Sequence, residues 1–363
     1  MDKDLELKIR LNNILYSLGY YTRLAVKLAE YSLERGQPME LTDLDVLGIK
    51  IHPDLTFNWV VADCTSRREV IKSPIQRVFW LKGVMDFFNA SRGYLALSTT
   101  NRVPESQRVV ASKLGITILN EENLSNLERR VLNEHIPKLK LAEAASWNYF
   151  EGNLTTLAKD ISFLLDFRKH HYWMNKSHQN LHALVSVLSK RGSSLDSKNP
   201  LHRALILDLL TLFSLSLLQM SSFVLQTNPE NPKQELRVYF YGGYKELEIR
   251  ESITQNIRKV LGEALPKQGY MFEQNLKLDP DYLPQLFDLA YRLVNKPADA
   301  SQIPRYLQMV LFERALYQQK NIDGVKYLDQ NFTDVTKKLT RDMASLFLHA
   351  TRLSEKMLEE VFD

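Results

Sequence analysis

Apolar residues Leu7, Leu11, Ile14, Leu15 and Leu18 recur at helical spacing, which predicts a helix over about 5–18 broken by Gly19. A second helix is expected from about Thr22 to Leu33, stopping at Arg35-Gly36. Leu44-Asp45-Val46-Leu47-Gly48-Ile49 reads as a strand, His52-Pro53-Asp54 as a turn, and Phe57 to Ala62 as a second strand closing a hairpin. Pro74 opens a helix carrying Val78, Phe79, Leu81, Val84, Met85, Phe87 and Phe88. Gly93-Tyr-Leu-Ala-Leu-Ser98 has the nearly continuous apolar character of a buried parallel strand. A helix from Pro104 to Leu114, capped by Gly115, precedes a last strand, Ile116-Thr-Ile-Leu119. The expected order is α, α, β, β, α, β, α, β, a compact α/β unit with a mixed sheet.

Beyond Asn120 the pattern turns helical up to Asp363, with breaks at Arg191–Pro200, Thr227–Gln234 and Asn295–Pro304. Only Leu236-Arg-Val-Tyr-Phe-Tyr241 reads as strand or irregular turn. The chain thus divides into an α/β domain over 1–125 and a larger all-α domain over 126–363. The apolar run Ala204 to Leu225 is long enough to span a bilayer. It contains Asp208 and Gln219, which are costly at membrane depth, so it reads as the central buried helix of the helical domain.

Composition changes this picture little. The 363 residues carry 47 basic and 43 acidic side chains, a net charge of +4, so any nucleic-acid surface must be a local patch. The single cysteine, Cys64, excludes an internal disulfide framework and fits a reducing cytoplasm. The start, Met1-Asp-Lys-Asp-Leu-Glu, lacks the apolar run of a signal peptide.

The chemistry concentrates at Asp45 and Asp63, one carboxylate on each of two adjacent strands. The aspartate in Leu44-Asp45-Val46-Leu47-Gly48 and the strand ending Ala62-Asp63-Cys64-Thr65 are followed by Lys82 to Ser98 and by Ser112-Lys113-Leu114-Gly115-Ile116-Thr117-Ile118-Leu119. In this order and spacing, residues 5–125 resemble the PD-(D/E)xK restriction-endonuclease-like superfamily, in particular its Mrr-related group. The resemblance implies phosphodiester hydrolysis with Mg²⁺ held by Asp45, Asp63 and the backbone carbonyl of Cys64. A hard cation of this kind takes oxygen ligands and activates water. It also implies a lysine two residues after Asp63, on the same face of the strand. Thr65 stands there instead, and Tyr21-Thr22-Arg23 stands where the family places an acid on its first helix. Lys72 and Lys82 are candidates for a relocated lysine, and Arg67 and Arg68 for phosphate contacts. The plainer account makes Asp45 a strand-entry carboxylate and Asp63 the salt-bridge partner of Arg67 or Arg68.

In the helical part, Phe167 to His182 holds four of the eight histidines. His178 and His182 have the i, i+4 spacing of a metal pair, but Gln179 replaces the glutamate of a zinc hydrolase. The same stretch offers Arg168, Lys169 and Lys176 to phosphates, with Tyr172 and Trp173 to stack on bases. The plainer account is a half-buried amphipathic helix. Gly242-Gly243 lacks the other residues of a phosphate loop and reads as a tight turn.

These features predict a nucleic-acid-binding protein with a degenerate nuclease centre, DNA being favoured over RNA, working within a defence or DNA-processing assembly. Its helical domain would meet a protein partner or a second copy. Two alternatives stand beside this: an active Mg²⁺-dependent endonuclease with a relocated lysine, and a non-catalytic interaction protein.

Overall fold

A computed structural model describes residues 3–31, 38–132, 134–155, 161–264, 278–317 and 321–362. Helix α1 (Lys3–Ser17) leads into β1 (Tyr21–Tyr31), β2 (Pro38–Ile51) and β3 (Phe57–Thr65). After α2 (Arg68–Lys72) and α3 (Pro74–Phe88) come β4 (Arg92–Leu97), α4 (Glu105–Lys113), β5 (Ile116–Leu119) and α5 (Glu121–Val131). The strands form one mixed sheet in the order β1-β2-β3-β4-β5. The first three are antiparallel, and β4 and β5 run parallel to β3.

The helix expected over Thr22–Leu33 is strand β1 instead, and 32–33 lie outside the described residues. Leu24, Val26 and Leu28 alternate and are all buried, and that period of two governs over the helical spacing of Leu24 and Leu28. At Ala25 the backbone turns left-handed, with φ +53, and the β1–β2 pairing skips this residue between Leu24↔Val46 and Val26↔Leu44. The β2–β3 pairing ends at Val46↔Ala62. The β2 ladder is therefore interrupted at Asp45.

The helical part comprises α6 (Ala144–Leu154), α7 (Ser162–Asp166), a π-helical turn (Phe167–His171), α8 (Tyr172–Met174) and α9 (Ser177–Arg191). These are followed by α10 (Pro200–Thr227), α11 (Pro232–Tyr241), α12 (Tyr244–Ala264), α13 (Leu283–Asn295) and α14 (Pro297–Ala300). The remaining helices are α15 (Ile303–Val310), α16 (Ile322–Asn331), α17 (Asp334–Thr351) and α18 (Glu359–Phe362). Helix α10 is apolar and long enough to cross a membrane, but it is packed inside the molecule against α9, α11, α13 and α15, as its buried-helix reading expects. The run Leu236–Tyr241 is not a strand. Asn231 caps the helix that contains it and Pro232 starts it, while Gly242, at φ +91, ends it in the tight turn expected there.

Helix α5 belongs with the sheet. Arg10 on α1 donates to Glu121, Ser125 and Glu128 of α5, so residue 125 falls inside a helix tied to α1. The two parts meet along β1. The Gln308 side-chain amide accepts from the Thr22 N–H at 3.2 Å and donates to the Thr22 carbonyl at 2.7 Å. Arg305 donates to the Tyr16 carbonyl at 3.1 Å.

Candidate functional site

Asp45 and Asp63 lie on adjacent strands, as the sequence suggested, and both are buried. Their partners are not the expected ones. Asp45 turns its carboxylate into the gap left by the interrupted ladder. Its Oδ2 accepts from the Cys64 N–H at 2.7 Å, and its Oδ1 is 2.6 Å from Lys8 Nζ on α1. The C=O of a strand residue points to the same side as its N–H, so the Cys64 carbonyl does face the Asp45 side of β3. Asp63 accepts a bidentate pair from Arg77 near the start of α3, at 2.5 and 2.7 Å. The Arg77 guanidinium also lies over the Trp80 ring, 3.5 Å from its centroid.

The four charged groups act as one neutral cluster. Burial raises the Asp45 carboxyl above the ordinary aspartate range and the nearby Asp63 adds to this, while Lys8 and the Cys64 N–H oppose it. Burial alone would lower the Lys8 ammonium, but Asp45 outweighs it and the net shift is upward. The Cys64 thiol is fully buried and raised, chiefly by burial and then by Asp45 and Asp63, which suits a packed thiol rather than a nucleophile.

Sequence reasoning missed Lys8 and Arg77. Lys8 sits one position after the apolar Leu7, on a helix the periodicity identified, but only the tertiary packing of α1 on the sheet brings it to Asp45. The residues named as relocated lysines lie elsewhere. Lys82 pairs with Asp86 at 2.5 Å on the outer side of α3, and Lys72 is exposed on α2. Thr65 is buried, and its hydroxyl accepts from the Arg67 N–H at 3.1 Å, which shapes the exit from β3. Arg67 and Arg68 are exposed. The expected Mg²⁺ ligands supply the right atoms, but every oxygen of both carboxylates is already met by an N–H or ammonium donor. Among the described residues no third acid, histidine or cysteine joins them in a metal-sized group. As arranged, the donor set does not fit a divalent ion without displacing Lys8 or Arg77.

No protein-family model, curated protein or solved structure matches this chain.

The second candidate stretch is half-buried, and its best phosphate and stacking candidates are internal. Arg168, expected to meet phosphate, is only 2% exposed; it donates to Asp208 on α10 at 2.5 Å and to Glu151 on α6 at 2.7 and 3.0 Å. Asp208 also receives two bonds from Arg23 on β1, at 2.8 and 2.9 Å. Lys169 is 3.2 Å from Glu151. Tyr172 is buried, and its hydroxyl donates to the Leu212 carbonyl at 2.9 Å. Arg168 and Tyr172 are therefore not surface groups. The buried α10 carboxylate draws the arginine inward, a link that no local pattern around Phe167 reveals. Lys176 is exposed, and Trp173 is half-buried beside the Trp59 ring. His178 packs against the Gly242 turn and His182 Nε2 lies 3.1 Å from the Phe240 carbonyl, which is the packing account of that face.

Proposed function

We propose that the protein binds nucleic acid through a restriction-endonuclease-like sheet unit whose acid pair serves structure rather than cleavage. The observation that carries this reading is the engagement of all four Asp45 and Asp63 oxygens by Lys8, Arg77 and the Cys64 N–H. Exposed Arg67, Arg68 and Lys72 follow β3 directly and form a local basic patch at the carboxyl end of a parallel strand, where α/β sheets commonly take ligands. DNA remains favoured over RNA as the polymer, in a defence or DNA-processing setting. The test combines plasmid incubation with Mg²⁺ or Mn²⁺ and binding measured across salt. The expected outcome is no cleavage, and an affinity that falls steeply as salt rises. Absence of binding at low salt would leave a non-catalytic interaction protein.

One observation favours a second reading, an active Mg²⁺-dependent endonuclease. Lys8 reaches Asp45 at 2.6 Å from a different element, as a relocated lysine would. Cleavage abolished by both Asp63→Ala and Lys8→Ala would establish it and overturn the first.

A further inference from the structure

Between α3 and the α8–α9 corner lies a cleft of about 210 Å³, walled by the rings of Trp59, Phe87, Phe88 and Trp173 and by the amides of Asn175, Asn180 and Gln219. The Trp59 and Trp173 rings meet edge to face with centroids 6.4 Å apart, and Trp59 is tilted 35° against Phe88 at the same separation. Among the described residues no charged side chain lines it. Asn180 is 4% exposed; its Nδ2 donates to the Tyr172 carbonyl at 2.9 Å, while its Oδ1 is buried with no hydrogen-bond partner. Asn180 is thus closed off behind the wall, which leaves the half-buried Asn175 and Gln219 as the amides a ligand can reach.

These features select a ligand class. Aromatic walls favour a flat, apolar-faced ring. Amides, which both donate and accept, favour a ring with a mixed polar edge. The lack of charge disfavours phosphate. A cation is disfavoured as well, because Arg23 already lies 5.4 Å from the Trp173 ring centroid. The volume is below the roughly 300–1,000 Å³ of pockets for larger ligands, so it suits a single ring system.

We infer that the cleft takes one unpaired nucleobase, stacked against the aromatic wall with its polar edge toward Asn175 and Gln219. The inference rests on the nucleic-acid reading and names where that reading would discriminate a base from a backbone. Trp59 and Asp63 share one face of β3, about 13 Å apart along the strand. Helix α3 lies along that face with Arg77 over Asp63 and Phe88 beside Trp59. A single strand lying along α3 would therefore reach the basic patch after β3 and the cleft together.

The experiment measures binding of the full-length protein to short single-stranded oligonucleotides and to the same backbones carrying abasic sites, at one low salt concentration. The expected result is at least about tenfold weaker binding of the abasic strands, the scale of one stacked base. Gln219→Ala and Phe87→Ala, with unchanged circular dichroism, should narrow that ratio without altering abasic binding. Equal affinity for intact and abasic strands would overturn the base cleft while leaving the nucleic-acid reading standing. Failure of every oligonucleotide to bind would overturn both.

Discussion

Inside the sheet Arg77 meets both oxygens of Asp63, so the pair stands or falls together. Arg77→Ala should destabilise the fold by about 2 kcal/mol, since it strands a buried carboxylate while losing an arginine that is itself one-third exposed. Urea unfolding of Arg77→Ala, Asp63→Asn and the double variant checks this. The two single losses should add to more than the double loss, and simple additivity would show that the pair does not interact. Glu151 gives a pH-dependent counterpart. Burial pushes its carboxyl up, but Arg168, Lys169 and Arg23 outweigh burial and bring it down from 4.5 to about 2. Its folded value lies below its unfolded one, so its stabilisation is present above about pH 4.5 and is lost as pH falls toward 2. Wild type should exceed Glu151→Gln by on the order of 3 kcal/mol at neutral pH, and the gap should close on acidification through that window. A gap that stays constant from pH 7 to 3 would contradict it.

At the scale of elements, the sequence disclosed most of the sheet and little of its first strand. Gly93–Leu97 and Ile116–Leu119 are legible because short, nearly continuous apolar runs that begin at or just after a glycine leave few alternatives. Strand β1 is less so, because Leu24 and Leu28 satisfy a helical period as well as an alternating one, and only pairing with β2 decides between them. The α11 helix shows the reverse error. Its aromatic and β-branched residues suggest a strand, and its start signal, Asn231-Pro232, outweighs them. The end of α11 supplies a prediction. Gly242 has φ +91, and a Cβ there would lie 2.7 Å from His178 Nε2. Gly242→Ala should cost about 2 kcal/mol through strain and displacement of His178, measurable as a lowered melting temperature. An unchanged melting temperature would mean that the turn relaxes freely.

Across the whole molecule, the candidate site was half legible. The acids were found because they occupy strands with recognisable borders. Lys8, Arg77, Asp208 and Glu151 were not, because each meets its partner across a long sequence separation that periodicity does not encode. The same long-range links make a prediction about cooperativity. Arg23 of β1 is held by Asp208 of α10, and Thr22 by Gln308 of α15. Calorimetry should therefore show one unfolding transition, and a fragment ending at 132 should fail to fold alone. Two well-separated transitions would show that the sheet unit and the helices are energetically independent.

The Gln308 amide has a consequence beyond stability. By donating to the Thr22 carbonyl and accepting from its N–H, it imitates the peptide group of a neighbouring strand. A sheet border left open at this position would be a template for the strand of another molecule. One glutamine thus occupies the place where a sixth strand would begin, and removing it should turn a well-folded sheet toward edge-to-edge aggregation.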